Sequence, residues 1–278
     1  MNTDYLAIGN PTIDVLADGG EVIGGTVSFA AVQAARFGWN ARVLGRANQA
    51  ELVPLLPADD RIMWDMQPAF ETTKFRNDSQ DGDRTQYVYA SAGPVELGTE
   101  EFSERIVHLG PIAAETDFTR GCELAADAAF VGATPQGAFR YWSTDTVVRL
   151  QPVAFDPIVL ERCNAVVVGS IEADVAAQLL DGVVAAGGIS VVTYGSRGCV
   201  VRSRAGEERY ELPLRVSVVD DTGAGDVFAA VLFLALAEGL LLATSVHHAQ
   251  VAAAACVRGV GVATVPTRAE LDAMLAEH

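Results

Sequence analysis

Short runs rich in Val, Ile and Ala alternate along the chain with longer Ala-rich stretches. The runs over 5–9, 41–45, 106–109, 128–132, 165–169, 189–194 and 199–202 predict strands, and several are apolar without interruption, as burial on both faces of a parallel sheet requires. The stretches over 27–37, 173–186, 226–238 and 245–258 predict helices. Gly38, Gly187-Gly188 and Gly259 stand where left-handed caps would stop three of them. Strands alternating with helices predict an α/β fold with a mainly parallel central sheet between helical layers. The helix that begins at Asp226 is apolar around its whole circumference, so it should run through the core with little solvent contact.

The segment from about 62 to 97 breaks this rhythm. It is polar, and alternating residues flank a turn, Asp78-Ser79-Gln80-Asp81-Gly82-Asp83. That predicts a β-hairpin standing apart from the sheet. Together with 13–24, which carries its own Asp18-Gly19-Gly20 turn, it could form a small antiparallel lid; a plain surface excursion is the alternative. The chain is otherwise read as one domain, 1–278, without internal repeats.

Composition narrows the chemistry. Of the 278 residues half are hydrophobic and 20% are charged, and 19 basic residues face 36 acidic ones for a net charge of −17. Nucleic acid and anionic membrane surfaces attract basic proteins, so neither is expected as the main partner. Lys74 is the only lysine and lies in Thr-Thr-Lys-Phe. A Walker-A loop and a pyridoxal site each need a lysine in another context, so phosphate binding must use backbone N–H groups, helix N-termini or arginine. The cysteines at 122, 163, 199 and 256 are widely spaced in apolar surroundings and read as core thiols. The longest apolar run, 227–237, is too short to span a bilayer. No leader-like segment opens the sequence, and a cytoplasmic location is the expectation.

The strongest chemical signal is Asp220-Asp221-Thr222-Gly223-Ala224-Gly225-Asp226 at the start of the apolar helix. Small residues leave the helix-start amides uncovered, where orphan donors and the helix dipole favour an anion. Asp226, in the first turn, could accept a proton from an attacking hydroxyl. The bland reading is that it only satisfies the helix end. A fixed hexapeptide of the Asp221 to Asp226 types arises by chance in a chain this long with a probability on the order of 10⁻⁵.

This segment resembles the C-terminal signature of the ribokinase-like (PfkB) carbohydrate kinases, with Asp221 where that family usually has Thr. The resemblance implies a three-layer sandwich with a small β lid. It makes Asp226 the catalytic base, with Gly223, Ala224, Gly225 and the Asp226 amide as the anion hole. Asp14, at the end of Gly9-Asn10-Pro11-Thr12-Ile13-Asp14, is similar to the family's substrate-binding Asp, and Gly24-Gly25 to its lid hinge. Phe29 occupies a position where Asn commonly binds substrate. Thr193, Gly195 and Gly198 resemble the segment along the nucleotide, and Gln250 lies near an Asn beside the base. Glu172 matches the Glu that organises water around magnesium, with Gly169 replacing the motif's Asn. Thr134-Pro135-Gln136 and Arg140 stand where many members read Asp-Pro-Asn-x-Arg; Arg140 could neutralise phosphate or form a structural ion pair.

The function so implied is an ATP-dependent, Mg²⁺-requiring phosphotransferase acting on a small polyol, a sugar or cyclitol, with a monovalent cation as an optional further requirement. Two alternatives stay open: a nucleoside kinase, in which Phe29 stacks a base, and a regulatory protein that binds nucleotide or metabolite without turnover. A homodimer formed through the lid edge is a further expectation.

Overall fold

The structure is a computed structural model that describes residues 3–80 and 83–277. Its elements are β1 (Tyr5–Ile8), β2 (Thr12–Val15), β3 (Glu21–Gly24), α1 (Thr26–Arg36), β4 (Ala41–Ala47), α2 (Gln49–Leu52), β5 (Ile62–Pro68), β6 (Thr73–Gln80), β7 (Asp83–Ala90) and β8 (Ile106–Leu109). They continue with α3 (Phe118–Leu124), β9 (Phe130–Ala133), α4 (Gln136–Phe139), β10 (Arg140–Tyr141), β11 (Arg149–Leu150), α5 (Pro157–Arg162), β12 (Ala165–Gly169) and α6 (Ala173–Ala186). The chain closes with β13 (Ile189–Thr193), β14 (Cys199–Ser203), β15 (Gly206–Tyr210), α7 (Ala224–Ala237), α8 (Leu242–Cys256) and α9 (Arg268–Ala276).

Nine strands form one sheet in the order β15-β14-β13-β12-β9-β8-β1-β4-β5. The pairings from β5 through to β13 are parallel, and β14 and β15 add an antiparallel edge. Side-chain alternation explains the unbroken apolar runs. Tyr5 and Ala7 of β1 point into a core shared with α1, α7 and α8, whereas Leu6 and Ile8 point into one shared with α3, α5 and α6. Ala165 and Val167 of β12 join the first core, Val166 and Val168 the second. The result is the expected three-layer sandwich.

Helix α7 is buried without interruption from Val227 to Ala235. Its Phe233 ring lies where a Cβ on Gly132 would meet it at 2.4 Å, which brings the helix hard against β9. That contact fixes α7 to the sheet in its third turn.

The lid departs from the sequence expectation in two ways. It is a four-stranded sheet, β3-β2-β6-β7, in which β2 pairs with β6 in parallel; only β2 with β3 and β6 with β7 run antiparallel. Residues 62–68 do not belong to it. They form β5, the edge of the main sheet, paired in parallel with β4. An edge strand buries less of its surface than a central one, so its polar alternation gave the same signal as a lid strand. The hairpin over 73–90 is present, and Asp81 and Gly82 of its expected turn lie outside the described residues.

Candidate active site

The glycine turn before α7 is built from below. Gly223 takes φ +81° as the N-cap, a conformation that costs any L side chain, and a Cβ there would meet the Phe29 ring at 2.2 Å. Phe29 is 1% exposed and belongs to the core, so its ring supports the turn rather than facing a ligand. A Cβ on Gly225, by contrast, would have nothing within 4 Å. No side chain fills the space above this second glycine, and the first-turn amides open towards solvent as an anion seat requires.

Asp226 follows directly. Its carboxyl is half-buried, and burial pushes its pKa up to about 6, opposed by the Thr26 hydrogen bond and the Arg140 charge and reinforced by Asp14 and Glu172. Thr26 Oγ1 donates to Asp226 Oδ1 at 2.8 Å. Gln136 Nε2 donates to Thr26 Oγ1 at 2.7 Å and to Asp226 Oδ1 at 3.2 Å. Arg140 Nη2 donates to Gln136 Oε1 at 2.7 Å, while its Nη1 donates to the Ile112 carbonyl at 3.2 Å. Sequence reasoning missed Thr26 and gave Gln136 no part. Residues 26, 136 and 226 are separated by about a hundred positions each, and only the fold brings them together.

A cavity of about 280 Å³ opens between the lid and this turn, lined by Asp14, Val22 and Asn77 on one side and by Asp220, Asp221 and Thr222 on the other. Asp14, the next-to-last residue of β2, is half-buried and accepts from Thr12 Oγ1 at 3.0 Å. A Cβ on Gly24 would lie 2.2 Å from its Oδ2, so the missing side chain makes room for the carboxylate. Gly25, at φ +85°, then turns the chain into α1 and delivers Thr26. Across the molecule, the loop around Gly9-Asn10 is pinned from both sides. Buried Glu115 accepts the Asn10, Ile112 and Ala113 amides at 2.9, 2.8 and 2.6 Å, and Asn10 Oδ1 accepts the Arg46 amide at 2.8 Å.

Glu172 caps α6 at the carboxyl end of β12, is 3% exposed, and holds its carboxylate against Gly169, where a Cβ would meet it at 2.7 Å. Its influence on Asp226 places both acids in one electrostatic neighbourhood. Among the described residues no three His, Cys, Asp or Glu side chains gather into a metal cage. Mg²⁺ usually keeps its waters and takes one or two carboxylates plus phosphate oxygens, so a single carboxylate suits its chemistry.

The remaining residues singled out in the sequence lie further along the same sheet edge. Thr193 ends β13 with Oγ1 donating to the Val168 carbonyl at 3.3 Å, and Gly195 opens the short turn that Gly198 closes. Gly198 passes so close to Tyr210 that a Cβ would collide with its carbonyl at 1.9 Å. Gln250 is buried, and its Nε2 donates to the Tyr210 carbonyl at 3.2 Å. Its amide therefore ties α8 to β15, the packing role that helical spacing offered as the alternative to a nucleotide contact.

Among the described residues no helix is long and apolar enough to cross a membrane. Residues 165–268 match the family described as pfkB family carbohydrate kinase. The bifunctional protein HldE of Rhodopseudomonas palustris is 41% identical over 88 residues, 32% of this chain; the chain covers only 18% of that relative's length. Three solved structures align over nearly the whole fold. A pyrophosphate-dependent kinase in the ribokinase family, in a sulfate complex, gives a TM-score of 0.78 at 18% identity over 97% of this chain and 99% of its own. Arabidopsis thaliana ribokinase complexed with ribose and ATP gives 0.73 at 19%, over 99% of both chains. The Burkholderia thailandensis nucleoside kinase in complex with inosine gives 0.73 at 20%, over 98% of both. The matched region, 165–268, carries the glycine turn and Asp226, and over nearly its whole length the chain has the fold of the ribokinase-like structures it is similar to.

Proposed function

We propose that the protein transfers the γ-phosphate of ATP to a hydroxyl of a small neutral polyol, a sugar or cyclitol. The observation that carries this reading is the open glycine turn whose amides begin a buried helix, with the Asp226 carboxyl in its first turn and burial pushing that carboxyl's pKa up to about 6. A carboxyl with that pKa is largely ionised at neutral pH and still basic enough to share a proton in a transition state. The acceptor hydroxyl passes its proton to Asp226 as its oxygen bonds to the transferring phosphorus; the bridging P–O bond breaks and its electron pair leaves with ADP. The amides of residues 223–226 hold the negative charge on the phosphoryl oxygens. Asp14, which can accept two neighbouring O–H groups, orients the acceptor, and the lid excludes water. Glu172 would orient the water shell of Mg²⁺, and the ion, when bound, neutralises charge on the donor phosphates. Thr193, Gly195 and Gly198 would follow the nucleotide; a monovalent cation and pairing of two copies along the lid belong to the same proposal.

Burial of Phe29 supports a sugar or cyclitol over a nucleoside, because the ring has no free face on which a base could stack. The likeness to a pyrophosphate-dependent kinase makes inorganic pyrophosphate the second donor to test. The decisive experiment is a panel of neutral sugars, cyclitols and nucleosides, each with ATP or pyrophosphate and Mg²⁺, run on the wild type and on Asp226→Asn. We expect transfer to a sugar or cyclitol, a loss of about a thousandfold or more in kcat for the variant, and retained donor binding. An active Asp226→Asn protein would remove this residue as the base. The same variant should be more resistant to denaturant at pH 7 by about 1–3 kcal/mol, because it no longer buries a carboxylate whose folded pKa is raised.

A further inference from the structure

We infer that Thr26 and Gln136 are positioning residues that clamp the Asp226 carboxylate through Oδ1 and reserve Oδ2 as the atom that receives the substrate proton. The inference rests on the reading of Asp226 as the base and adds what holds that base. Both hydrogen bonds that described residues give to this carboxylate fall on Oδ1. They come from the first residue of α1 and the first residue of α4, so three helix starts converge on one oxygen.

The donors are themselves fixed. Thr26 is 0% exposed, so water cannot replace its partner, and its hydroxyl hydrogen has Oδ1 as acceptor at 2.8 Å. The Gln136 amide could in principle face either way, but its Oε1 meets Arg140 Nη2, a group that only donates. That forces Nε2 towards Thr26 and Asp226. Arg140 is 9% exposed and anchored on the Ile112 carbonyl, and its guanidinium lies 5.8 Å from the Phe75 ring centroid. A chain of oriented donors thus runs from Arg140 through Gln136 to the carboxylate and carries the arginine's polarity there.

Two consequences follow for the chemistry. Two donors on Oδ1 favour the ionised carboxyl against the burial that opposes it. They also stop rotation of the carboxylate, so Oδ2 presents one lone-pair direction to the acceptor hydroxyl. The other groups that act on Asp226 are Asp14 from β2 and Glu172 at the start of α6, which repel its charge, and Arg140, which attracts it; Tyr5 of β1 and Cys256 of α8 also feel its field and stay protonated. The clamp acts beside these fields through its two hydrogen bonds on Oδ1.

The test is a carboxyl NMR titration of protein labelled with ¹³C-aspartate, for the wild type, T26S, T26V and Q136L, with Asp226 assigned by its absence in D226N. T26V removes one donor with little change of shape and should move the Asp226 midpoint up by about one pH unit; Q136L should move it up by about half as much. T26S keeps the hydroxyl and should titrate as the wild type does. In the transfer assay T26V and Q136L should lose about tenfold in kcat with acceptor KM little changed, and the acid limb of their pH profile should follow the NMR midpoint. Midpoints for both variants that coincide with the wild type would overturn the clamp. If T26V does not fold, Q136L, at a half-buried position, decides alone. A wild type that transfers phosphate to nothing in the panel overturns the kinase reading, and the titration then still decides the clamp.

Discussion

The turn before α7 and the lid form facing walls of one cavity, yet their backing differs. Behind the turn stand nine consecutive buried residues of α7, with α1, α8 and the sheet packed around them. Behind the lid lie two smaller groups, Phe75, Val88, Ile112 and Ala113 with Trp142 and Val148 partly buried beside them, and Ile23 packed with Ala47 and Leu52. Burial of this kind sets how cheaply a segment opens. Rigid amides suit a wall that must meet developing charge without reorganising. A lightly held wall suits the side through which a substrate must enter. On the kinase reading the site would divide its work accordingly: electrostatics on the α7 side, access and orientation on the lid side.

The sharpest way to break this comparison is to spoil the rigid wall at one glycine and leave it intact at the next. Gly223→Ala forces an L side chain into φ +81° and drives it into Phe29, so unfolding in urea should show a loss of at least about 3 kcal/mol. Gly225→Ala meets nothing and replaces a helical glycine, so the same measurement should show a gain of about 0.5–1 kcal/mol. Its methyl group would intrude on the anion seat, and donor affinity should fall while stability rises. Equal effects of the two changes on stability would mean that the turn is not supported from beneath.

Acid sensitivity probes the rigid side more finely. His108, in the main sheet, is fully buried between the Tyr5 hydroxyl at 2.7 Å and Thr134 Oγ1 at 2.8 Å, and burial lowers its pKa to about 3. The folded protein therefore leaves it neutral where the unfolded chain, titrating near 6.5, binds a proton. Its stabilising contribution is complete above about pH 6.5 and is lost as pH falls towards 3. Asp226 has the opposite sign: its raised pKa destabilises the fold above about pH 6, and that burden lifts as pH falls towards 4. The two partly cancel between pH 7 and 5. Urea unfolding of D226N should expose the histidine more clearly, with up to about 2 kcal/mol lost between those pH values, offset in part by buried Glu115, whose pKa burial raises; H108Q in the same background should flatten that slope.

Legibility in the sequence followed the same division. Central strands such as β12 announce themselves because both faces are buried, and α7 because every face is. Edge strand β5 reads as part of a polar segment, edge strand β15 gives no strand signal among the runs named, and the parallel pairing of β2 with β6 cannot be seen in residues that lie some sixty positions apart. The glycine turn and Asp226 were legible because a helix start is local. Thr26, Gln136 and Arg140 were not recognised as a unit, since their convergence is a product of topology. Phe29 and Gln250 mark the limit of motif position as a guide: each stands where a ligand contact was expected, and each has its side chain committed to packing, against Gly223 and on the Tyr210 carbonyl.

The smallest expected effect tests the lid itself. Phe75 pairs in register with Asp14, is 2% exposed, and faces the Arg140 guanidinium. Phe75→Ala removes the largest side chain of the lid core without touching the main sheet. Amide hydrogen exchange should quicken in β2, β6 and β7 and stay unchanged in α7, because the lid opens as its own unit. On the kinase reading, acceptor KM should rise severalfold, equivalent to about 1 kcal/mol, with kcat less affected, and hydrolysis of the donor without acceptor should increase as water gains entry. If α7 loses protection together with the lid, the two walls belong to one cooperative unit and the difference in rigidity between them does not exist.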